Sequence, residues 1–500
     1  MSEAHFLPFR QHIIGIDQTF PTPFGEKKLI YADWIASGRL YGPIEKTMLE
    51  KVFPFCGNTH TETSITGTLM TNAYHEAKEY IKKQVNANED DALIFSGTGM
   101  TDSINKLQRI LGLRIPDAIS NHIADIKSKM QLSEQDRPIV FVTHMEHHSN
   151  HTSWLETIAD VEIINPDEHG HVNLNHFEDL LKQYANRPLK IASVTASSNV
   201  TGIITPYYSI AQMIHRAGGL CFVDFACSGP YVDIDMHPED ESKQLDAIFI
   251  SPHKFLGGPA TPGIMILNSA LCKNTIPDHS GGGTVRFTTP WKTHEYYSNV
   301  EDREDGGTPG FLQGIKAALS FKLKNEMGVE NILHREMIML QKVFKQLKNI
   351  SNLHILASNI EHRIGAISFY IDGLHFNLGV KLLNDYFGVQ VRGGCACAGT
   401  YGHYLLKINQ EESTEILKQI NQGNLFARPG WIRLSIHPTM TDEEVDIILN
   451  SIEYLAKNFQ EMGKSYSYIP KKNIFTHNTF KSHFEKDFVA SLFSESFQLA

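Results

Sequence analysis

The sequence predicts an α/β fold in which a mostly parallel sheet is flanked by helices. Short apolar segments bounded by polar or glycine-rich turns alternate with segments whose apolar residues recur at helical spacing. One such pair is the apolar segment 92–95 and the helical pattern through Ile104, Leu107 and Leu111. Strands that alternate with helices in this way form parallel sheets with right-handed crossover connections.

The length and composition indicate a folded chain with more than one domain. Five hundred residues exceed what one core usually encloses, and 41% hydrophobic with 20% charged residues excludes a disordered chain. The net charge is −11 without any block of Lys and Arg, so neither nucleic acid nor a membrane surface is an expected partner. Because we find no membrane-span or signal-peptide pattern, we expect the cytoplasm. Six cysteines in so long a chain do not indicate a disulfide framework.

Lys254 stands in a short turn between two apolar segments, within DAIFISPHKFLGGPATPGIMIL (246–267). Pro252 cannot continue a central strand, so the turn places the amine at a strand end, where open α/β sheets bind ligands. Loss of solvation there lowers the pKa of an ammonium group, and a neutral amine can form a Schiff base. For a lone lysine, the alternative is a side chain that only extends from a strand end to solvent.

Upstream of Lys254, the apolar segment 220–223 ends in Asp224. A carboxylate at the end of a buried strand is costly unless a cation meets it, and a pyridinium nitrogen is such a cation. Pyridoxal phosphate enzymes combine an aspartate partner for that nitrogen with a Schiff-base lysine. With this pair, VDFACS (223–228) and SPHK (251–254) resemble the class V aminotransferase family of fold-type I enzymes. The motifs are most similar to the cysteine desulfurase and selenocysteine lyase branch, over roughly residues 31–454.

The resemblance implies pyridoxal 5'-phosphate as the cofactor. It also implies a large domain, built on a mostly parallel seven-stranded sheet flanked by helices, and a smaller α+β C-terminal domain. The expected divisions are an N-terminal arm at 1–30, the cofactor-binding domain at 31–315, the small domain at 316–465 and an aromatic-rich extension at 466–500.

Two segments lie outside that common pattern. Residues at about 112–137 are an insertion, predicted as an extra helix because apolar residues fall on one helical face: Ile119, Ile123, Ile126 and Met130. In the extension, Phe480, Phe484 and Phe488 recur at helical spacing. We expect them to dock on the chain itself and not on a partner, because an exposed aromatic stripe favours aggregation.

The segment SGTGMTDSIN (96–105) predicts an anion site at a helix start. Free backbone N–H groups and the positive end of the helix dipole attract an anion there, although a glycine-rich turn of this kind is as often an ordinary turn. The family has its phosphate loop at this place. The resemblance therefore implies that Gly99 and Thr101 contact the cofactor phosphate, while Met100 departs from the family pattern.

Further cofactor contacts are implied by the family motifs. His147 corresponds to the histidine that stacks on the cofactor ring, and Asn199 in SSNVTG (197–202) reaches the phenolic oxygen or the substrate carboxylate. Ala226 packs on the other ring face, and Ser251 and His253 belong to the lysine motif. In desulfurases a glutamine stands where this chain has Cys227.

Four histidines lie close together in the sequence and could suggest a metal site: His144, His147, His148 and His151. Their spacing lacks the carboxylate or cysteine set of a known site, so no metal is expected.

The segment EDGGTPGFLQGIKAAL (304–319) resembles the Gly-Thr-Pro that precedes a long helix in the family. The corresponding threonine touches the phosphate of the neighbouring subunit. Thr308 therefore implies a homodimer with a shared site, and a simple helix cap with proline in the first turn is equally compatible with the residues.

A glycine-containing loop, GVQVRGGCACAGTYGH (388–403), carries two cysteines. Glycines make the backbone mobile, so a thiol here can swing over a cofactor. Desulfurases place the nucleophilic cysteine five residues after an arginine, which implies Cys397, counted from Arg392, as the nucleophile. Cys395 remains a rival or a resolving partner, and Arg392 is one candidate for lowering the thiol pKa. The loop could also merely pack or bind a metal.

Near the C-terminus, the strand signal GWIRLSIHP (430–438) contains Arg433, followed by a capped helix from Thr441. The family's arginine in this strand binds the substrate α-carboxylate bidentately.

The resemblance implies a cysteine desulfurase: Lys254 and His147 serve catalysis, Arg433 and Asn199 bind L-cysteine, and Cys397 takes the sulfur as a persulfide while alanine is released. A sulfur-acceptor protein is a possible further partner. One alternative is a class V aminotransferase, lyase or epimerase acting on another amino acid. Another is a scaffold without catalysis, against which the buried charges of Lys254, Asp224 and Arg433 argue, because they are costly when unpaired.

Overall fold

The computed structural model describes residues 3–121 and 132–494. Its largest element is a seven-stranded sheet with the strands β1 (Asp91–Ser96), β2 (Ile139–Thr143), β3 (Asp160–Ile164), β4 (Lys190–Thr195), β5 (Leu220–Asp224), β6 (Ala247–Ile250) and β7 (Gly263–Asn268). Their spatial order is β1-β7-β6-β5-β4-β2-β3. β7 runs antiparallel to both neighbours, and the remaining pairs are parallel. The predicted mostly parallel seven-stranded sheet is thus confirmed.

Helices cover both faces of this sheet. Alternate strand residues enter two separate cores: Val223 packs in one and its neighbour Phe222 in the other. This double burial explains why the strands are continuously apolar instead of alternating. The longer helices are α1 (Ile65–Gln84), α2 (Met100–Ile110), α3 (Leu174–Gln183), α4 (Tyr207–Arg216), α5 (Phe311–Met327), α6 (Val329–Leu347), α7 (Phe376–Phe387), α8 (Gly399–Leu406), α9 (Gln410–Asn421), α10 (Asp442–Gly463) and α11 (Phe484–Ser494).

A second, antiparallel sheet follows in the C-terminal part, in keeping with the predicted α+β character of that region. Its strands are β8 (Leu353–Ile355), β9 (Ala366–Ile371), β10 (Arg392–Gly394) and β11 (Trp431–Ser435), in the order β8-β9-β11-β10. The helix predicted after Thr441 is α10, and a capping box with Glu444 begins it. The domain boundaries given above remain predictions.

Short elements complete the chain. Helical segments occur at Leu7–Arg10, Gly42–Thr47, Thr152–Leu155 and Val300–Arg303. Three hairpins pair Thr19–Thr22 with Gly25–Lys28, Val285–Thr288 with His294–Tyr296, and Tyr466–Ile469 with Ile474–His477. The strand Ile30–Tyr31 pairs with Val389–Gln390, which brings the N-terminal segment beside the second sheet.

The two unusual segments differ in outcome. Of the predicted inserted helix, Ile123, Ile126 and Met130 lie outside the described residues, and the adjoining stretches form 3₁₀ turns at Asp117–Asn121 and Glu134–Asp136. In the extension, Phe480 is half-buried and borders, with Phe20 and Pro21, a cavity of about 370 Å³, whereas Phe484 and Phe488 are 46% and 56% exposed. The docking of the whole aromatic stripe on the chain stays a prediction.

No helix within the described ranges is long and apolar enough to span a membrane. The cytoplasmic location remains a prediction.

Candidate active site

Side chains from several strand ends and from the start of α2 meet at one edge of the large sheet. β5 ends at Asp224 and β4 at Thr195, and Lys254 lies in the 3₁₀ turn Pro252–Lys254 that follows β6. They border a cavity of about 240 Å³. The expected cofactor contacts that line it are Gly99, Thr101, His147, Asn199, Asp224, Ala226, Ser251, His253 and Lys254.

The half-buried Lys254 and the buried Asp224 place groups of opposite charge beside this cavity. Burial lowers the pKa of the Lys254 ammonium, while the Cys227 thiol and Asp224 oppose that shift. Asp224 is 4% exposed and accepts a hydrogen bond of 2.8 Å from the Ala226 N–H. Burial raises its pKa to about 6. A cation bound against Asp224 would favour the ionised carboxylate.

His147 is held as a neutral ring. Its Nδ1 accepts a hydrogen bond of 3.1 Å from the Ser149 N–H, and burial lowers its pKa to about 3. Because a backbone N–H can only donate, Nδ1 carries no proton. The Ser149 hydroxyl also shares a hydrogen bond of 2.6 Å with Thr101 Oγ1, which links the histidine turn to the start of α2.

The start of α2 lies tightly against the lysine turn. The Met100 N–H donates to Ser251 Oγ at 3.0 Å, and His253 Nδ1 donates to the Thr98 carbonyl at 2.9 Å. A Cβ added to Gly99 would lie 3.0 Å from His253 Cε1 and 3.3 Å from Ser251 Oγ, so the backbone approaches the lysine turn closely here. The helix start can accept an anion at this place.

Asp102 is a residue of the site that no sequence motif predicted. It lines the cavity from the first turn of α2, and its Oδ2 accepts from the Thr98 N–H at 3.3 Å. Acidic residues are common in a first helical turn, so its sequence position alone did not distinguish it.

Arg433, on β11, is buried beside the cavity. Its Nη1 donates to the Asn199 carbonyl at 3.1 Å and its Nη2 to Asp33 Oδ1 at 2.8 Å. Asp33 Oδ2 also accepts from Arg392 Nε at 3.0 Å, so Arg392 is paired with this carboxylate. Asp33 therefore joins the two arginines that the motifs singled out, a role no sequence signal indicated.

Two polar atoms at this place are buried without a hydrogen-bond partner among the residues that the structure covers. They are Arg433 Nε, a donor, and Asn199 Oδ1, an acceptor. Buried polar groups are rarely left unpaired, so such atoms indicate a ligand-binding position.

The cysteine loop connects directly to the cavity. Asn199 Nδ2 donates to the Ala396 carbonyl at 2.7 Å, which fixes the residue between the two cysteines. Cys397 is exposed, whereas Cys395 is half-buried and borders a different cavity of about 400 Å³, on the side of Trp431. The two thiols thus have different surroundings although they are two residues apart.

Thr308 and Cys227 differ in their position relative to the cavity. Thr308 is exposed and is not part of the wall that the described residues form around the cavity. Cys227 is buried in that wall, and its thiol donates to the Ser198 carbonyl at 3.7 Å. No group of three His, Cys, Asp or Glu side chains suited to a metal ion occurs in residues 3–121 and 132–494.

The site suits a ligand with an anionic group, a cationic ring and an amine-reactive carbon. The helix start at Gly99 suits the anion, the buried Asp224 the cation, and Lys254 supplies the amine. Pyridoxal 5'-phosphate has these three features, and the residues present fit it.

Several known proteins that are similar to this chain carry the name cysteine desulfurase. A probable cysteine desulfurase of Synechocystis is 24% identical over 449 residues, covering 87% of this chain and 92% of the relative. One from Staphylococcus epidermidis is 28% identical and covers 74% of this chain and 84% of the relative. In fold, the chain is similar to the cysteine desulfurase of Thermococcus onnurineus, with a TM-score of 0.68 at 21% identity. The match covers 86% of this chain and 95% of the other. A cysteine desulfurase of Escherichia coli is similar with a TM-score of 0.68 at 19% identity, and the match covers 91% of this chain and 99% of the other.

The sequence model of one family extends over most of the chain. The model of the family described as aminotransferase class-V matches residues 30–448. This range includes the lysine turn, Asp224, the cysteine loop and Arg433. The chain therefore belongs to the class-V aminotransferase family, as its motifs predicted.

Proposed function

We propose that this chain is a pyridoxal phosphate-dependent cysteine desulfurase that converts L-cysteine to alanine and collects the sulfur on Cys397. Family membership and the desulfurase names of its relatives support this reaction class. The observation that carries the proposal is the contact between Asn199 and the Ala396 carbonyl. It ties an exposed thiol to the wall of a cavity that is lined by a half-buried lysine and a buried aspartate.

The chain's own residues divide the work as follows. Gly99 and Thr101, with Ser251 and His253, would hold the phosphate, and His147 and Ala226 would enclose the ring. Bound pyridoxal phosphate supplies an amine-reactive aldehyde and a ring that withdraws electrons from the substrate α-carbon. Asp224 would pair with the ring nitrogen and favour its protonated form, because a buried carboxylate attracts a cationic partner.

Substrate handling falls to a second set of residues. The substrate carboxylate would accept from the free Nε–H of Arg433 and from the second N–H of Asn199 Nδ2, and guanidinium geometry suits that group. Lys254 Nζ moves the α-proton, which a lowered pKa permits. The Cys397 thiolate then attacks the substrate sulfur: an S–S bond forms, the C–S bond breaks and its electron pair passes to carbon, which is protonated to give alanine.

We infer Cys397 and not Cys395 as the nucleophile because Cys397 is exposed, while Cys395 borders the separate cavity. An exposed persulfide is also accessible to a sulfur-acceptor protein.

We further infer a homodimer in which Thr308 of one subunit reaches the phosphate end of the other subunit's cavity. Thr308 is exposed, and the preceding hairpin exposes Phe287 by 61% and Trp291 by 82%, an apolar surface that a second copy would cover. Mixing inactive Lys254→Ala with Thr308→Ala chains should restore activity in mixed dimers. Absence of restoration, with a monomer by sedimentation, would contradict the shared site.

The reaction is tested by measuring alanine release from L-cysteine after reconstitution with pyridoxal phosphate, beside a panel of other amino acids. We expect release from L-cysteine and none from the Lys254→Ala chain. A cofactor-bound protein that transaminates or cleaves another amino acid, without alanine release, would favour the aminotransferase or lyase alternative.

A further inference from the structure

His148 contacts the backbone at Cys397 and at Gly399, two residues further along. Its N–H donates to the Cys397 carbonyl at 2.8 Å, and its ring Nε2 accepts from the Gly399 N–H at 2.8 Å. One turn further along, His151 Nδ1 and Thr400 Oγ1 share a hydrogen bond of 3.1 Å. The histidine turn therefore holds the segment that carries the thiol.

The held segment has an unusual backbone. Ala396 and Cys397 have φ values of +50° and +55°, in the left-handed region that residues with a side chain rarely occupy. Such a conformation persists only where the surroundings enforce it. The bonds from Asn199 to Ala396 and from His148 to Cys397 and Gly399 provide that enforcement on each side.

We infer that His148, in its neutral form, is a positioning residue that holds the Cys397 loop against the cofactor cavity and releases it on protonation. The inference rests on the proposed function for its consequence in catalysis, but the clamp itself is a property of the chain alone.

The hydrogen bond dictates the protonation state. Because the Gly399 N–H can only donate, Nε2 must be unprotonated, and a protonated ring would set two N–H groups against each other. Burial lowers the pKa of His148. The titratable or charged groups that face it are the rings of His147 and His151 on the same turn, whose pKa values burial also lowers, and, around the cavity that His148 borders, His403, Arg428 and the Cys395 thiol.

The sign of the pH effect follows. In the held loop the pKa of His148 is below its ordinary value of 6.5, and in a released loop the solvated ring recovers that value. The held state is therefore fully favoured above pH 6.5 and loses its advantage as the pH falls below that value.

Hydrogen exchange of the loop peptide tests the clamp in the full chain, with rates corrected for intrinsic pH dependence. His148→Leu removes the acceptor, whereas His148→Gln keeps an acceptor that does not titrate. His477→Leu is the control, because His477 Nδ1 likewise accepts a backbone N–H, from Phe480 at 3.1 Å, while its ring contacts Phe24 and Tyr466. We expect protection of residues 395–402 to fall roughly 2- to 12-fold in His148→Leu, as the loss of one hydrogen bond implies. We expect it to stay near wild type in His148→Gln and His477→Leu.

Acid should lower the protection in wild type but not in His148→Gln. Unchanged protection in His148→Leu, an equal loss in His477→Leu, or the same acid response in His148→Gln would overturn the inference. In the holoenzyme, His148→Leu should slow sulfur transfer to Cys397 with little change in KM for L-cysteine. If the exchange result holds while wild type releases no alanine, the proposed function fails and the clamp remains.

Discussion

Replacing Asp224 by asparagine should stabilise the cofactor-free chain while impairing the reaction. The carboxyl group is buried, which raises its pKa from an ordinary 3.8 to about 6. Each pKa unit corresponds to about 1.4 kcal/mol, so ionisation of the folded carboxyl costs about 3 kcal/mol above pH 6. Asparagine removes this cost and can still accept from the Ala226 N–H. The pKa of about 6 already includes the attraction to Lys254, and burial of the amide has its own cost, so we expect a net gain of about 1 to 3 kcal/mol.

The gain in the free energy of unfolding should depend on pH. The unfolded carboxyl loses its proton near pH 3.8 and the folded one near pH 6, so wild-type stability declines between these values and stays reduced above them. Urea unfolding of cofactor-free protein should therefore show the full gain of Asp224→Asn at pH 8 and about half of it at pH 5.

The same substitution should damage the holoenzyme. Loss of a charged partner for the ring nitrogen, worth about 1.5 to 3 kcal/mol, should lower alanine release about 10- to 150-fold. Asp246→Asn is a matched control, because Asp246 accepts from the Cys221 N–H and pairs with His215, each at 2.8 Å, and its replacement should destabilise. An Asp224→Asn chain that is less stable than wild type at pH 8, or equally stabilised at both pH values, would refute the reasoning.

Two further predictions concern the cavity wall. Gly99→Ala places a Cβ 3.0 Å from His253 Cε1. Because such overpacking costs about 1 to 3 kcal/mol, cofactor binding measured by fluorescence titration should weaken about 5- to 150-fold. His253→Ala in the same chain should restore part of it, and binding unchanged by Gly99→Ala would contradict the tight approach. Arg433→Lys keeps the charge but loses the guanidinium group that can donate two parallel hydrogen bonds. The KM for L-cysteine should therefore rise about 10-fold or more without weaker cofactor binding. An unchanged KM would mean that Arg433 does not bind the substrate.

The fold could largely be predicted from the sequence because its strands are buried on both faces and its helices are amphipathic. Two such strands are Ile139–Thr143 and Ala366–Ile371, whose residues are almost all buried. Apolar residues at helical spacing continue through α5 and α6, but these are two helices, because Gly328, at φ +78°, ends the first and begins the second. Local periodicity records burial but not a change of helix direction.

The site was predictable only where its residues belong to local motifs. Lys254, Asp224 and Gly99 each stand at a strand end or helix start, so their meeting at one sheet edge follows from parallel topology. Asp33 meets Arg433 across 400 positions of the chain, and no spacing in the sequence reveals that pairing. The difference between Cys395 and Cys397 likewise arises from surroundings, which a Cys-x-Cys pattern does not contain.

The most direct test of the central claim is the intact-protein mass after incubation of the holoenzyme with L-cysteine, for wild type, Cys397→Ala and Cys395→Ala. We predict that wild type and Cys395→Ala gain the mass of sulfur while alanine is released, and that Cys397→Ala does neither. A sulfur adduct that persists in Cys397→Ala and disappears in Cys395→Ala would transfer the nucleophile to Cys395. A cofactor-bound wild type without adduct or alanine would contradict the desulfurase assignment itself.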